Sequence, residues 1–537
     1  MARPVVGLIQ HRDHLHAQGS IAAFVTELQE LLAQRFRIEA FPGYAQLLSE
    51  REQARVWKEF FARCDVILTL APSFPVLVHR ERLGASVPIV YLPLGEFPRG
   101  AHLWRRVYRL FTPADIIANS STADASILDQ LVEHLAPRHA LLPYFVDHRL
   151  FQPMRPAARA ALRRRFGIGP REVVFLYVGR ITSEKNVHQL TDWMATLISR
   201  HSEARLLAIG PFVDSRFQDF QTGPYELRPI LQQILDCHPQ AAQRIRFIPA
   251  VSRGELPLLY NLGDVCVNLT LHHDENFGFA QVEAMSMGLP VVCTDWGGLK
   301  DTVAHGQTGF RVDTIVTDWG VRVDGRQFLQ SCEALLRSPA LRRRMGRAAR
   351  ARVTRLFTQE VFADNLTALL RQGMRGRTRR AAPTRLGEFG TRYHLAFSQP
   401  PERKGDERGV LAPRYTRENY ALYRELILPY ATRLASAQVG DNDTLSFGPL
   451  SFAIRERTVE VLDPLWPAVH RISTAQQEIL QHMEQVQLKT GLAFFERREL
   501  AGALASRVPP ATFERALGGL VEKGLLVASA GMLPAEP

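Results

Sequence analysis

The sequence predicts an α/β protein with two doubly wound domains in series and a mainly helical C-terminal part. Six short apolar runs alternate with amphipathic stretches in the first third of the chain, and five almost wholly apolar runs alternate with such stretches in the middle. A break rich in proline, glycine and arginine separates the two sets near residue 155. Alternation of this kind is typical of parallel sheets, and continuous apolar runs are typical of strands buried on both faces.

The first domain is predicted over residues 1–155. Helical stretches such as SIAAFVTELQELLAQRF separate several of its strands, which are expected in PVVGLIQ, FRIEAF, CDVILTLAP, VPIVYLPLG, ADIIANSS and ALLPYFV. The second domain is predicted over residues 156–372, with strands in EVVFLYVGR, ARLLAIGPF, RIRFIPAV, DVCVNLT and LPVVCTD. Ligands of such domains bind beyond the carboxyl ends of the strands, so we expect the site residues in the loops that follow them.

The texture of the sequence changes after the second domain. Residues 373–414 are predicted to be a basic linker, and residues 415–537 a helical accessory domain. Ser473 and Gln476 form a capping-box pattern before a helix. A second helix near RRELAGALA, a third from Pro510 to Val521 and a strand in LLVAS complete an outline that resembles a winged helix.

The third of these helices carries almost no net charge. Arg515 and Lys523 are balanced by Glu514 and Glu522. Because a neutral helix binds phosphates poorly, a protein or peptide partner is favoured over nucleic acid for this domain. The arginine run from Arg375 to Arg385 leaves peripheral contact with an anionic membrane, nucleic acid, a phosphorylated acceptor and simple solvation open.

Composition indicates a cytoplasmic globular protein. Of the 537 residues, 46% are hydrophobic and 22% are charged, and no apolar run approaches the roughly 18 residues that a membrane span needs. The N-terminus is expected to be a strand and not a signal peptide. The five cysteines are not in metal-ligand spacing, so we expect reduced thiols. The net charge of +12 fits nucleic acid, an anionic membrane, phosphate-bearing substrates or an arginine-rich composition without functional meaning.

One segment carries most of the predicted chemistry: HHDENFGFAQVEAMSMGLPVV, from His272 to Val292. A helix is predicted to begin near Phe277 or Gly278 and to stop at Gly288. The free amides of a first helical turn bind phosphates, and glycine allows an anion to approach the backbone closely. Two acids flank this place with seven residues between them, and each can accept hydrogen bonds from hydroxyl groups. Hydroxylated rings at both ends of a diphosphate describe a nucleotide sugar.

Several segments together resemble the retaining GT-B glycosyltransferases of the group 1, or family 4, type over residues 1–370. In chain order they are ADIIANSS, LPYFVDHRLFQP, LYVGRITSEKNVHQL, ENFGFAQVEAMSMGLPVVCTDWGGLKDTV and GQTGFRVD, and this order resembles that of the family. The resemblance implies that Glu275 contacts sugar hydroxyls of the donor and that Glu283 binds the ribose. It also implies that the amides of three residues hold the distal phosphate: Phe277, Gly278 and Phe279.

The same resemblance assigns Arg180 and Lys185 to the departing diphosphate. Breaking the bond at the anomeric carbon leaves a negatively charged nucleoside diphosphate, which fixed cations and helix amides must stabilise if no metal does so. No Asp-x-Asp cluster follows a predicted strand, so we expect no metal and no cofactor beyond the donor substrate.

The first domain departs from the family pattern. Its first loop contains Gly19 without a second glycine, and Leu94 stands where the family has a histidine. Gly19 and Gly95 are predicted donor contacts, and Glu96 is a predicted catalytic residue. His11, His14 and His16 follow the first strand as candidate acceptor ligands or as loop residues without a role.

The main functional prediction is a retaining, metal-independent transferase that moves a hexosyl group from a nucleoside-diphosphate sugar to an unidentified acceptor. The acceptor is expected mainly on the first domain: a glycan, a lipid-linked compound, a peptide or a small molecule. Two alternatives stay open. One is a GT-B phosphorylase or sugar-phosphate synthase; the other is a non-catalytic GT-B-like scaffold tethered by its tail.

Overall fold

The computed structural model describes residues 3–9, 20–43, 45, 48–70, 74–94, 101, 107–213, 227–273, 275–375, 384–396, 419–449, 452–461, 468–490 and 493–530. Within these ranges, no helix is both long and apolar enough to cross a membrane. The chain forms two compact units. Unit 1 comprises residues 1–151, 273–286 and 351–413, and unit 2 comprises residues 152–272, 287–350 and 414–537. The four-domain division drawn from the sequence stays a prediction.

The strands in chain order are β1 (Val5–Ile9), β2 (Arg37–Ala40), β3 (Val66–Leu70), β4 (Ile89–Leu92), β5 (Ile116–Asn119), β6 (Val132–His134), β7 (Arg138–Leu141), β8 (Val173–Val178), β9 (Ala204–Ile209), β10 (Ile245–Ile248), β11 (Val265–Asn268), β12 (Val291–Thr294), β13 (Gly309–Val312), β14 (Thr314–Val316), β15 (Val321–Val323), β16 (Arg385–Leu386), β17 (Arg433–Leu434), β18 (Thr444–Phe447), β19 (Phe452–Arg455), β20 (Thr458–Val461), β21 (Ala468–Arg471), β22 (Phe495–Glu496) and β23 (Leu526–Ser529).

The helices in chain order are α1 (Ser20–Arg35), α2 (Glu50–Arg63), α3 (Phe74–Arg82), α4 (Thr122–Leu131), α5 (Pro156–Arg165), α6 (Val187–Arg200), α7 (Leu227–Cys237), α8 (Pro239–Ala242), α9 (Leu256–Tyr260), α10 (Phe279–Ser286), α11 (Leu299–Thr302), α12 (Gly325–Arg337), α13 (Pro339–Leu356), α14 (Gln359–Arg375), α15 (Glu388–Ala396), α16 (Tyr420–Ile427), α17 (Thr474–Thr490), α18 (Arg497–Leu504) and α19 (Pro510–Glu522).

Unit 1 is built on a six-stranded parallel sheet in the order β2-β1-β3-β4-β5-β7. Strands β3 and β4 are buried along their whole length, as their uninterrupted apolar sequences predict. Helix α14, which lies far along the chain, packs against α1 and these two strands. The predicted parallel sheet of the first domain is therefore confirmed.

The sixth strand of unit 1 lies earlier than predicted. It was predicted in ALLPYFV, but the strand is Arg138–Leu141 and its pairing with β5 ends there. Leu142 still donates a backbone hydrogen bond to Asn119, at 2.7 Å. Pro143 follows and has no N–H with which to continue the ladder. The apolar residues after it, Tyr144 to Val146, are buried as packed side chains outside the sheet.

Unit 2 contains a second six-stranded parallel sheet in the order β10-β9-β8-β11-β12-β13. All five predicted strands are present. The sixth, β13, falls in GQTGFRVD, where no strand was predicted. Gly309 allows the close pairing, because a Cβ added there would lie 1.9 Å from the carbonyl oxygen of Val291.

The C-terminal part of unit 2 contains the three predicted helices, α17 to α19, and the predicted strand β23. Ser473 and Gln476 make the predicted capping box through bonds of 3.0 and 3.2 Å. Strand β18 lies between β22 and β23 in an antiparallel sheet. Strands β19 to β21 form a separate antiparallel sheet. The winged-helix assignment itself stays a prediction.

The C-terminal part of unit 2, residues 414–537, is the tail of the chain. It is joined to the second Rossmann-like domain by strand pairing and side-chain hydrogen bonds. Strand β17 pairs in parallel with β14. The Arg322 guanidinium donates to the carbonyl of Gly524 at 2.9 Å, and the Ser529 hydroxyl donates to Asp324 at 2.7 Å. These contacts are buried, so unit 2 continues from the parallel sheet into the tail.

Candidate functional site

Two glycines shape the loop that carries Arg180. Gly179 and Gly210 follow β8 and β9, with φ of +150° and +149°. A Cβ on Gly210 would lie 1.9 Å from the carbonyl oxygen of Gly179, so only glycine allows the two strand ends to approach so closely. The Tyr177 hydroxyl donates to the carbonyl of Arg180 at 2.6 Å. The backbone of Arg180 is therefore held at the carboxyl end of the sheet.

The Arg180 side chain belongs to a charged cluster within unit 2. Its guanidinium lies 3.0 Å from the Glu184 carboxylate and 3.3 Å from the His272 ring nitrogen Nε2. The same nitrogen of His272 lies 3.5 Å from Glu184. The Arg180 side chain is 38% exposed and Glu184 only 10%. The Arg180 guanidinium therefore reaches solvent while it pairs with a largely buried carboxylate, that of Glu184.

Glu184 is charged at neutral pH. Burial by itself raises the pKa of its carboxyl, but the charge and hydrogen bond of His272 and the charges of Arg180 and Lys185 act in the opposite direction. Together these groups outweigh burial and hold the pKa of Glu184 well below its usual range. The backbone of Glu184 also accepts a hydrogen bond from Leu271 at 3.2 Å.

Lys185 lies in the same turn as Glu184. Its backbone N–H donates to the Thr182 hydroxyl at 3.3 Å, and the next residue, Asn186, adopts a left-handed conformation with φ of +54° before α6 begins. The structure therefore brings Arg180 and Lys185 into one short loop after β8. This grouping agrees with the prediction, while their contact with a diphosphate stays a prediction.

The glutamate segment of residues 275–283 lies in unit 1. Helix α10 begins at Phe279, one or two residues later than predicted, with Val282 donating to the carbonyl of Gly278 at 3.0 Å. Gly278 has φ of +80°, a conformation that favours glycine, and this keeps it outside the helix. Gly288, with φ of +77°, follows the helix and ends it as predicted.

Both predicted acids of this segment are buried. Glu275 is 9% exposed and Glu283 is 6% exposed, and each makes polar or electrostatic contacts within the protein. A pair of solvated surface acids, which the sequence pattern alone allows, is therefore excluded. A buried carboxylate needs polar partners, and hydroxyl groups can serve as such partners.

Two motifs of unit 1 hold the backbone just before α10. The Ser120 hydroxyl donates to the carbonyl of Asn276 at 3.3 Å. The side-chain amide of Asn276 donates to the Tyr144 hydroxyl at 3.4 Å, and that hydroxyl donates to the carbonyl of Pro93 at 2.5 Å. The segments ADIIANSS and LPYFVDHRLFQP thus supply the residues that fix the turn at Asn276.

Aromatic packing holds the same turn. The Tyr144 ring stacks on Phe279 with centroids 5.7 Å apart and meets Phe277 at 5.6 Å. Phe24 of α1 contacts Phe279 at 5.9 Å. At the other end of α10, the Ser286 hydroxyl donates to the carbonyl of Phe151 at 2.6 Å. The phenylalanine side chains therefore anchor the turn, while their amides are the predicted phosphate ligands.

Several predicted residues lie outside the described residues. These are the two predicted donor glycines, the predicted catalytic acid and the three histidines of the first loop: Gly19, Gly95, Glu96, His11, His14 and His16. Leu94, where the family has a histidine, lies in a bend after β4. In the part of the chain that the structure describes, no group of three or more histidine, cysteine, aspartate or glutamate residues is placed to hold a metal ion.

Three residues of the Arg180 cluster and its surroundings were not predicted from the sequence: Glu184, His272 and Trp296. Glu184 stands four residues after Arg180, which was a readable signal for an ion pair. The Trp296 indole N–H donates to the carbonyl of His272 at 2.8 Å. That contact joins two different loops, so no local pattern could have predicted it.

A model of the glycosyl transferases group 1 family matches residues 158–352, a little over a third of the chain. Residues 158–352 belong to the group 1 glycosyltransferases. This group 1 segment includes Arg180, Lys185, Glu275 and Glu283, so the predicted family is confirmed for the part that carries these four charged residues.

Curated proteins that are similar to this chain are also named glycosyltransferases. The D-inositol 3-phosphate glycosyltransferase of Segniliparus rotundus is 28% identical over 301 residues, which are 56% of this chain and 62% of the relative. That of Pseudarthrobacter chlorophenolicus is 30% identical over 283 residues, 51% and 60% of the two chains. The chain thus spans less than two thirds of the length of these relatives.

Solved structures extend the likeness beyond the group 1 segment. Sucrose-phosphate synthase from Thermosynechococcus elongatus matches with a TM-score of 0.52 at 19% identity, over 69% of this chain and 99% of that one. Anabaena HepE in complex with UDP matches with a TM-score of 0.52 at 17% identity, over 68% and 99%. At such low identity the likeness concerns the fold alone, and it confirms the predicted GT-B class.

Proposed function

We propose that the protein is a retaining, metal-independent glycosyltransferase that uses a nucleoside-diphosphate sugar. The observation that supports this most directly is the group 1 match, because its residues 158–352 include the two cations and the two acids of the predicted donor site. HepE, similar in fold, was crystallised with UDP, which suggests the first nucleotide to try.

In this proposal Arg180 and Lys185 stabilise the departing diphosphate. The leaving group gains negative charge as the anomeric bond breaks, and preorganised cations lower the energy of that state more than that of the bound donor. Glu184 keeps the Arg180 guanidinium, 3.0 Å away, in one orientation before the donor arrives. The Arg180 side chain then loses less conformational freedom when the diphosphate binds.

Glu275 and Glu283 are proposed to accept hydrogen bonds from the sugar and the ribose. Amides around Gly278, at the start of α10, are proposed to contact the distal phosphate. Both acids are buried, so a hydrogen bond between either carboxylate and a hydroxyl of the donor would form away from bulk water.

The proposal is tested by thermal denaturation of the full chain with UDP, GDP and ADP and with UDP-glucose. At least one nucleoside diphosphate should raise the melting temperature, because a ligand that binds only the native state stabilises it. Arg180→Ala and Glu283→Gln should each lower the affinity for that nucleotide by about 10-fold or more. Arg424→Ala is the matched control, because Arg424 pairs at the surface with Asp318 at 2.9 Å.

Transfer is then measured with the sugar of the nucleotide that binds, in buffer containing a chelator. Candidate acceptors begin with D-inositol 3-phosphate, which the relatives' name suggests. NMR of the product should give the same anomeric configuration as the donor. Release of sugar phosphate from a disaccharide and phosphate would favour the phosphorylase alternative. Binding without any turnover would favour a scaffold, and no response to any nucleotide would contradict the proposal.

A further inference from the structure

A short stretch of the C-terminal tail holds the loop that follows β12. Within unit 2, the backbone N–H of Gly297 donates to the carbonyl of Tyr430 at 3.0 Å. The Lys300 ammonium donates to the carbonyls of Pro429, at 3.1 Å, and Ala431. The tail therefore contacts the end of this loop and the first turn of α11, at the carboxyl edge of the sheet, where Rossmann-like domains bind ligands.

The same stretch continues inward through two buried aromatic rings. The Tyr430 ring meets the Trp296 ring edge to face, with centroids 5.6 Å apart and planes at 74°. Both side chains are fully buried. The Trp296 indole N–H donates to the carbonyl of His272 at 2.8 Å. Because packed rings of this size move only if a cavity opens, the position of the indole depends on Tyr430.

His272 then connects this packing to the candidate donor cation. Its backbone is fixed on both sides: its N–H lies 3.2 Å from the Thr270 hydroxyl, and its carbonyl accepts from Trp296. Its ring Nε2 lies 3.3 Å from the Arg180 guanidinium and 3.5 Å from Glu184. A shift of the His272 backbone would therefore move a contact of Arg180.

We propose that Tyr430 is a positioning residue for Arg180, acting through Trp296 and His272. The C-terminal tail is then part of the structure that orients the diphosphate-binding cation. This inference rests on the proposed function for its effect on nucleotide binding, but the structural connection is independent of it. A partner that binds the tail and disturbs Tyr430 would lower the affinity for the donor.

The test compares two buried tail tyrosines that each contact a tryptophan. Tyr430 touches Trp296, whereas Tyr420 touches Trp319, with centroids 4.8 Å apart, and bonds to Gly320. In the full-length protein, Tyr430→Leu should weaken the best-binding of UDP, GDP and ADP about 10-fold, or 1.4 kcal/mol. Tyr420→Leu should bind the same nucleotide with an affinity within about 2-fold of wild type. Tyr430→Phe should keep most of the wild-type affinity, because it keeps the ring.

Hydrogen–deuterium exchange supplies a readout that needs no nucleotide. Peptides covering residues 180–186 and 268–273 should exchange faster in Tyr430→Leu than in wild type. In Tyr420→Leu, the exchange rate of these peptides should equal that of wild type. Equal effects of both leucine variants would overturn the inference, because the tail would then act only by general docking. Unchanged exchange and affinity in a folded Tyr430→Leu protein would overturn it as well. If wild type binds none of the three nucleotides, the proposed function fails and the exchange data still decide the inference.

Discussion

At the residue scale, one buried carboxylate organises the predicted diphosphate cations. Glu184 lies in contact with Arg180 and His272, and Lys185 is its neighbour in sequence. The pattern Gly-Arg followed by Lys, read from the sequence, identified the cations but not the acid that orders them. Arginine side chains lose considerable freedom when they are fixed, so an ordering carboxylate reduces what ligand binding must supply.

The Glu184→Gln substitution should lower stability in a pH-dependent way. Because the folded pKa of Glu184 lies below its unfolded value of about 4.3, its charge stabilises the fold above that pH and less as the pH falls below it. We expect a loss of about 1–3 kcal/mol at pH 7 that shrinks below about pH 4.3. Thermal melts between pH 3 and pH 7 measure it.

Glu203→Gln is the control for this prediction, since Glu203 is 46% exposed and lies 3.9 Å from His201. It should change stability by less than about 0.5 kcal/mol at every pH. A Glu184→Gln deficit that stays constant down to pH 3 would mean that the charge of Glu184 contributes nothing to stability.

At the scale of elements, two neighbouring strand ends decide where the cations lie. Gly179 and Gly210 bring the ends of β8 and β9 together, and the loop with Arg180 starts there. The turn before α10 has a different construction, in which Ser120 holds the backbone carbonyl of Asn276 and Tyr144 holds its side-chain amide. Both places use backbone contacts that side-chain patterns do not reveal.

Gly210→Ala should therefore disturb the Arg180 loop. The new Cβ would lie 1.9 Å from the Gly179 carbonyl oxygen, and φ of +149° is unfavourable for alanine. We expect a loss of about 1–3 kcal/mol in urea denaturation and weaker nucleoside diphosphate binding. The matched change is Gly254→Ala, where nothing lies within 4 Å of the added Cβ. Equal stability of the two variants would refute the close-approach argument.

At the scale of the whole molecule, much of the positive charge has structural partners. Arg159 and Arg163 both pair with Asp264, at 2.7 and 2.8 Å, and two further arginines pair with Glu172. The total of 66 lysines and arginines therefore overstates the number of cations available to an anionic partner. Ion pairs of this kind support the structural interpretation of part of the arginine content.

The attachment of the tail to the Rossmann-like part of unit 2 contains a second pH-sensitive group. Asp324 caps α12, and its carboxylate accepts from Gln327 and from Ser529 of the last strand. Burial raises the pKa of this carboxyl despite these two bonds. Its other oxygen, Oδ2, has no hydrogen-bond partner among the described residues.

We expect Asp324→Asn to be more stable than wild type at pH 7.5. A raised folded pKa means that the charged form destabilises the fold, a penalty absent below the ordinary value of about 3.9 and complete once the pH exceeds the folded pKa. The advantage of the variant in melting temperature should therefore disappear as the pH falls toward 4. Ser529→Ala serves as the control for loss of the hydrogen bond. A difference independent of pH would contradict this account.

The sequence by itself determined the two parallel sheets, the C-terminal helices, the loop with Arg180 and Lys185, and the glutamate segment before Gly288. Period, apolar runs and glycine positions are local properties, so they can be read without the fold. Only the tertiary structure identified the pairing of Glu184 with His272, the hold of Ser120 and Tyr144 on Asn276, and the path from Tyr430 to Trp296. Those contacts join residues far apart in the chain, and their geometry follows from packing that no single segment encodes.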